Sequence, residues 1–222
     1  MTPIDLIHKL NLNDIPDAVK EQAKLSILDL IGIGAGGVGT GLSAIIRKHA
    51  AQEFGGTIPM LFDGRTASAQ GAALAAGMTI DSLDGHDGFN MAKGHIGASL
   101  LPAILALGNE QQISGREVLL ATILGYEFGA RAAMAQHATA PDYHTSGSWG
   151  AVTAAAAGAC ILQLNMDQTR HALGIAEYHG PRSQMMRCID HPTMLRMAQV
   201  GDPWRAFRRQ NWPKRGSRAP LH

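Results

Sequence analysis

Residues 67–79 read ASAQGAALAAGMT, and residues 98–107 read ASLLPAILAL. Both stretches consist almost entirely of small or apolar side chains, and neither shows the two-residue alternation of a half-buried strand. Each is therefore predicted to be a helix that is buried on most of its sides. Between them, residues 81–97 read DSLDGHDGFNMAKGHIG, which predicts a polar loop held by two buried helices.

This loop concentrates groups that can carry acid–base chemistry. It contains His86, His95 and Lys93 beside several acidic residues and glycines. Glycine lets a backbone pass close to a ligand, and functional residues often lie on loops held by a rigid scaffold. Mixed titratable groups on such a loop predict a functional site. The alternative is a solvated turn whose acidic residues cap the following helix.

Helical signals extend over most of the remaining chain. Apolar residues keep helical spacing over residues 19–31, residues 114–117 read SGRE, which is a capping box, and residues 148–162 are rich in alanine. Residues 32–37 read GIGAGG, but a dinucleotide fingerprint follows a strand and this one follows a predicted helix, which favours glycine-mediated helix packing. A short extended piece is expected at residues 58–62. The predicted fold class is all-α, a close-packed helical domain.

Composition narrows the class of protein. The chain has 222 residues, enough for a sizeable core, and its two cysteines, Cys160 and Cys188, do not form a disulfide framework. We therefore expect a reducing, cytoplasmic location. The first residues lack a basic region followed by an apolar one, so no signal peptide is expected. No run of residues is expected to be apolar enough to span a membrane.

Polar segments at residues 84–95, 137–145, 177–183 and 185–193 are predicted to lie between helices. Imidazole titrates near neutral pH, which suits moving a proton at a carbon next to a carboxylate. A metal site is the rival use, but the His-x-x-x-His and His-Glu-x-x-His spacings are missing, so no metal is expected. Arginine and lysine side chains can bind carboxylates of an anionic substrate. The histidines of these segments are His86, His95, His137, His144, His179 and His191.

Three separated motifs carry a resemblance to a known family. They are residues 81–98, the pair Tyr143-His144, and residues 185–195, which read MMRCIDHPTML. In this order they resemble the MmgE/PrpD family, which includes 2-methylcitrate dehydratase, cis-aconitate decarboxylase and iminodisuccinate epimerase. The resemblance covers about residues 4–195. The sequences of residues 84–89 and 185–192 are most similar to the epimerase-like branch of the family.

The resemblance implies a helical N-terminal domain that carries the active site, a smaller α+β domain, and a homodimer that needs no cofactor. Asp84, His95 and His144 match the family's catalytic positions, with one histidine as base and the other as acid; which is which stays open. We expect contacts with a small polycarboxylate substrate from five further residues: His86, Lys93, Tyr143, Arg182 and Arg187.

The implied activity is that of a lyase or isomerase that transfers a proton at a carbon next to a carboxylate in a small di- or tricarboxylate. Dehydration, decarboxylation and epimerisation all stay open. The alternative is a non-catalytic helical fragment that associates with a full-length partner. Neither nucleic acid nor a membrane is expected as a partner.

Residues 196–222 differ from the rest of the chain. Residues 197–222 carry six of the 19 basic and one of the 18 acidic side chains. The family continues after Thr-Met-Leu with an active-site lysine in a run resembling KDGSGWG, whereas residues 196–204 read RMAQVGDPW. One A restored before the Arg196 codon lets permitted codons read KDGSGW. We therefore expect a helical domain at residues 1–195, an out-of-frame basic tail at 196–222, and a missing C-terminal α+β domain. We expect this truncation to impair the activity that the resemblance implies. A tail that binds nucleic acid is the competing interpretation.

Overall fold

The computed structural model describes residues 2–142 and 144–181 of the chain. Over these residues the fold is all-α, as predicted, with eight α-helices, two short 3₁₀ helices and one small sheet. The helices are α1 (Pro3–Lys9), α2 (Asp17–Gly37), α3 (Gly41–Glu53), α4 (Ala69–Asp81), α5 (Gly97–Gln111), α6 (Gly115–Thr139), α7 (Gly147–Ile161) and α8 (Met166–His179). The 3₁₀ helices are Leu12–Asp14 and Asn90–Ala92, and the strands are β1 (Ile58–Pro59) and β2 (Thr66–Ala67).

The strands form a two-residue antiparallel pair, in which Ile58 lies opposite Ala67 and Pro59 opposite Thr66. This pair corresponds to the short extended piece expected near residue 58. It lies between α3 and α4, and the chain on both sides of it is helical.

Side-chain caps define where several helices begin. The capping box predicted at residues 114–117 is confirmed, because the Ser114 hydroxyl accepts from the Glu117 backbone N–H and the Glu117 carboxylate accepts from the Ser114 backbone N–H. Asn165 and Gln168 make the same reciprocal pair at the start of α8. Such caps satisfy backbone donors that a helix leaves unpaired in its first turn.

Two helices of small residues form the centre of the domain. α7 packs against α5, α6 and α8, and α4 packs against α2, α3 and α5. Most of the side chains of α4 and α7 are buried, and so are most of those of α5, which follows the polar loop. Alanine and glycine let neighbouring backbones come close, so these helices can be enclosed without large side chains. The prediction of two buried helices flanking the polar loop is confirmed.

The glycines of residues 32–37 lie inside α2, and two of them, Gly34 and Gly37, allow close packing. A Cβ on Gly37 would collide with the backbone carbonyl oxygen of Thr79 in α4, and one on Gly34 would lie 2.8 Å from the Phe62 ring. α2 therefore crosses α4 at a distance that only glycine permits at these positions. The expectation of close helix packing is confirmed.

α6 differs from expectation in its hydropathy. By length and composition it is apolar enough to cross a membrane, so the expectation that no run is apolar enough is wrong by this measure. Of its most apolar 18-residue window, 44% is buried against the rest of the domain. α6 packs against α2, α5 and α7, and core helices of such composition pass the same test.

Two helices continue through segments that were expected to lie between helices. His137 belongs to the last turn of α6, and His179 is the last residue of α8. The placement of these two histidines in connecting segments is therefore wrong. In α6, alanines up to residue 138 favour helix and carry it past His137.

Candidate active site

The polar loop of residues 82–96 is fixed at both ends by helices of the core. α4 ends at Asp81 and α5 begins at Gly97, and within the loop the chain folds back so that the Phe89 N–H donates to the Gly94 carbonyl at 3.0 Å. Asp84 and Lys93 adopt left-handed backbone conformations, with φ of 51° and 50°. The loop is thus a compact structure with a defined path rather than an open connection.

His86 is the buried histidine of this loop, and its side chain has no exposed surface. Its Nε2 makes a 2.9 Å hydrogen bond with Oδ1 of Asp81, and its Nδ1 faces Oδ1 of Asp87 at 3.5 Å. Burial alone would lower the pKa of His86, but the two carboxylates outweigh it and raise the pKa to about 9. At neutral pH His86 is therefore an imidazolium held between two carboxylates.

Asp87 connects His86 to the neighbouring helices. Its Oδ2 accepts a 3.1 Å hydrogen bond from the Gly97 N–H at the start of α5 and another of 3.1 Å from the Tyr126 hydroxyl in α6. Burial favours the neutral acid, yet His86 and these donors hold the pKa of Asp87 below its ordinary value. Burial and the nearby Asp87 charge raise the pKa of Tyr126, which therefore stays a hydrogen-bond donor.

His95 is the loop residue best placed to exchange a proton with a ligand. Its Nδ1 hydrogen-bonds the backbone carbonyl of Asp87, and because a carbonyl only accepts, Nδ1 carries the hydrogen. The other nitrogen, Nε2, faces Oδ1 of Asp84 at 3.6 Å, beyond a normal hydrogen bond. The His95 side chain is 24% exposed and that of Asp84 is 65% exposed. In the neutral ring, Nε2 is thus the atom that can accept a proton.

The two loop histidines also contact each other. The ring centroids of His86 and His95 lie 4.2 Å apart at an interplanar angle of 59°. The buried, charged imidazole therefore lies directly behind the partly exposed one.

The segment between α6 and α7 packs against this loop. Nε2 of His137 donates to the Ala92 carbonyl at 2.7 Å, and a Cβ on Gly94 would collide with the Ser146 hydroxyl. His144 lies two residues before Ser146 and is half-buried, with Nδ1 bonded to the Asp142 carbonyl at 2.9 Å. The contacts described for His144 are local and do not join it to His95.

The structure brings together three of the predicted site residues, Asp84, His86 and His95. Lys93 is exposed at the turn of the same loop, and His144 lies on the neighbouring segment. Three of the residues expected to contact substrate lie outside the described residues: Tyr143, Arg182 and Arg187.

Sequence reasoning gave no individual role to Asp81, Asp87 or Tyr126. The first two stood within the quoted motif, five residues before and one residue after His86, and two acidic residues so close to a histidine were a usable signal. Tyr126 had no such signal, because it lies 39 residues from Asp87 in sequence.

A metal ion is the alternative occupant of this cluster. Asp84, His86 and His95 each offer a ligand atom, and these atoms lie within 4.8 Å of one another. However, both ring nitrogens of His86 face carboxylates, so coordination would require the ring to lose a proton and a carboxylate contact. The arrangement fits acid–base chemistry better than metal binding.

A separate cleft of about 620 Å³ lies between α2 and α6, and Asp87 and Tyr126 form part of its wall. Its other lining side chains are mainly apolar, and its charged ones, Asp87 and Glu127, are acidic. A polycarboxylate would be repelled there, so the cleft does not suit such a ligand.

Comparison with known proteins identifies the family of this chain and several relatives. The sequence model of the MmgE/PrpD N-terminal domain family matches residues 4–204. A cis-aconitate decarboxylase-like protein, oryM, of Aspergillus oryzae is 30% identical over 183 residues, covering 77% of this chain and 38% of the relative. The cis-aconitate decarboxylase of Mus musculus is 29% identical over 186 residues, covering 79% and 38%. That of Aspergillus terreus is 31% identical over 178 residues, covering 75% and 36%.

The chain thus spans less than two-fifths of the length of these curated relatives. The family match covers nearly all of the described helices and the whole loop that holds Asp84, His86 and His95. This chain belongs to the MmgE/PrpD family.

Proposed function

We propose that this chain carries the helical part of a lyase or isomerase site that acts on a small di- or tricarboxylate by proton transfer at a carbon next to a carboxylate. The observation that carries the proposal is the hydrogen-bonding of His95, whose Nδ1 is committed to a carbonyl and whose Nε2 is free to exchange a proton. Family membership and the names of the decarboxylase relatives support the lyase class.

Two directions of proton transfer use the same atom. In an elimination or an epimerisation, Nε2 of His95 takes the proton, and the C–H electron pair stays on the carbon, where the neighbouring carboxylate stabilises it. In an elimination this pair then forms the C=C bond as the hydroxyl of the next carbon leaves with a proton as water, and in an epimerisation it takes a proton on the opposite face. In a decarboxylation, the C–C bond breaks, CO₂ leaves, and an imidazolium gives its Nε2 proton to the carbon that keeps the electron pair. Oδ1 of Asp84 faces this Nε2 at 3.6 Å.

A polycarboxylate also needs cations to hold it. Lys93 is exposed on the loop of His95 and is the described candidate for this role. Tyr143, Arg182 and Arg187 keep the roles expected from the resemblance, as does His144 as the second acid–base group. The homodimer and the cytoplasmic location also stay predictions.

The proposal is tested with cis-aconitate, because the matched relatives are named for its decarboxylation. CO₂ release by the frame-restored chain, with one A added before the Arg196 codon, should fall at least about a hundredfold in His95→Ala and in His144→Ala, the loss expected for general acid–base groups. His171→Ala, which removes an exposed histidine from α8, is the matched control and should keep the parent rate.

Parent-like rates in both His95→Ala and His144→Ala would overturn the assignment of the site. A 222-residue chain that forms a stable complex with a full-length family member but gives no turnover would support the alternative, the non-catalytic fragment.

A further inference from the structure

We propose that His86 is a positioning residue for His95, acting through a buried cluster of three side chains, Asp81, His86 and Asp87. In this account the cluster holds the Asp87 backbone in place, and the hydrogen bond to the Asp87 carbonyl determines which nitrogen of His95 exchanges the proton. The inference rests on the proposed function, because it assigns a role within the same site.

The first step is that His86 acts without touching a substrate, in place of the substrate contact expected from the resemblance. Its side chain has no exposed surface, and its two ring nitrogens face Asp81 and Asp87. In this structure a substrate can reach the ring only after one of these contacts is broken. A residue placed in this way affects the chemistry through its neighbours.

The second step is that Asp87 links the buried charge to His95. Its carboxylate is held by the Gly97 N–H and the Tyr126 hydroxyl and faces Nδ1 of His86, while its backbone carbonyl accepts from Nδ1 of His95. Side chain and carbonyl belong to one residue, so fixing the carboxylate also restricts the carbonyl.

The third step concerns the tautomer of His95. Which imidazole nitrogen carries the hydrogen is set by the hydrogen bond that the other nitrogen makes. While the Asp87 carbonyl stays in place, Nδ1 keeps its hydrogen and Nε2 is the basic atom. If the carbonyl moves, the Nε2–H tautomer becomes accessible, and in that form Nε2 cannot accept a proton.

The charges around His86 fit this role. Asp81 faces it from the end of α4, Asp87 from the loop, and the His95 ring lies 4.2 Å away with Asp84 beyond it. Tyr126 contacts Asp87 from α6. Three carboxylates thus surround the two imidazoles, and His86 contacts two of them directly.

The test is a ¹⁵N NMR measurement of histidine tautomers in the full 222-residue chain, with His95 assigned by its loss in His95→Asn. In the parent, the neutral form of His95 should carry its hydrogen on Nδ1, and both His86 nitrogens should be protonated at neutral pH. In His86→Gln and in Tyr126→Phe, His95 should shift toward the Nε2–H form. Tyr126→Phe removes one hydroxyl and keeps the ring, so it decides the matter if His86→Gln does not fold.

Activity is the second readout. Both variants should lower kcat by roughly tenfold and leave KM near the parent value, because a supporting hydrogen bond is lost and a substrate contact is kept. His171→Gln is the matched control for His86→Gln and should change neither measurement.

Two results would overturn the proposal. One is a His95 that keeps the Nδ1–H form in a folded Tyr126→Phe or His86→Gln chain. The other is a parent His86 with one unprotonated nitrogen at neutral pH. The NMR measurement needs no substrate, so a tautomer shift without turnover would uphold the positioning role and count against the proposed function alone.

Discussion

Removing His86 should change how the stability of the fold depends on pH. The pKa of His86 is about 9 in the folded chain, against an ordinary value of 6.5. Between these two values the folded chain binds more protons than the unfolded chain. The stabilisation is therefore fully present below about pH 6.5 and is lost as the pH rises through about 9.

The size of the effect follows from the shift. Each pKa unit corresponds to about 1.4 kcal/mol, so raising the pH from about 6.5 to about 9.5 should remove about 3 kcal/mol of unfolding free energy through His86 alone. This is a large share of the stability of a typical domain. His86→Gln should lack this loss, because glutamine does not titrate.

The measurement is urea unfolding followed by far-ultraviolet circular dichroism, at several pH values, for the parent and for His86→Gln. Titrating groups that do not contact His86 are common to both chains and cancel in the difference between their unfolding free energies. His171→Gln makes the same chemical change at the surface of α8 and should follow the parent curve. A difference between parent and His86→Gln that stays constant from about pH 6.5 to about pH 9.5 would refute the reasoning, since it would mean that His86 is not charged in the fold.

Three further predictions concern other parts of the chain. Gly97→Ala should destabilise the fold by about 1–3 kcal/mol, because the new Cβ would lie 2.6 Å from Oδ1 of Asp87. Gly174→Ala is its control in α8: the new Cβ has nothing within 4 Å, so the change should stabilise the fold by about 0.5–1 kcal/mol. Urea unfolding measures both changes. Ser114→Ala removes the cap of α6 and should cost about 1 kcal/mol in the same assay, and an unchanged midpoint would count against that cap. Resequencing the source DNA should show one additional A before the Arg196 codon, and an unchanged reading would end the out-of-frame hypothesis.

Much of the fold could be predicted because its signals are local. A capping box at residues 114–117 and alanine-rich segments are recognisable within one or two helical turns. The helix ends at His137 and His179 were harder, because a polar residue in a last turn looks the same in sequence as one in a connection.

The loop could be recognised as a site, but its internal contacts could not. Asp81 meets His86 only because the chain turns back through Asp84, whose φ is 51°, and a five-residue separation matches neither helix nor strand periodicity. The contact between Tyr126 and Asp87 depends on how α6 packs beside the loop, which no local pattern encodes. Which residues belong to the site could therefore be predicted, but which of them hydrogen-bond to one another could not.

The most direct test of the central claim is deuterium incorporation from D₂O into a panel of di- and tricarboxylates that includes cis-aconitate and 2-methylcitrate, followed by NMR. It detects proton transfer next to a carboxylate whatever the net reaction is. We predict that the frame-restored chain, with one A added before the Arg196 codon, labels at least one of these acids at such a carbon. In that chain, His95→Ala should lower the rate at least about a hundredfold, and His171→Ala should not. Unchanged labelling in the His95→Ala variant, or no labelling of any acid by the frame-restored chain, would contradict the account.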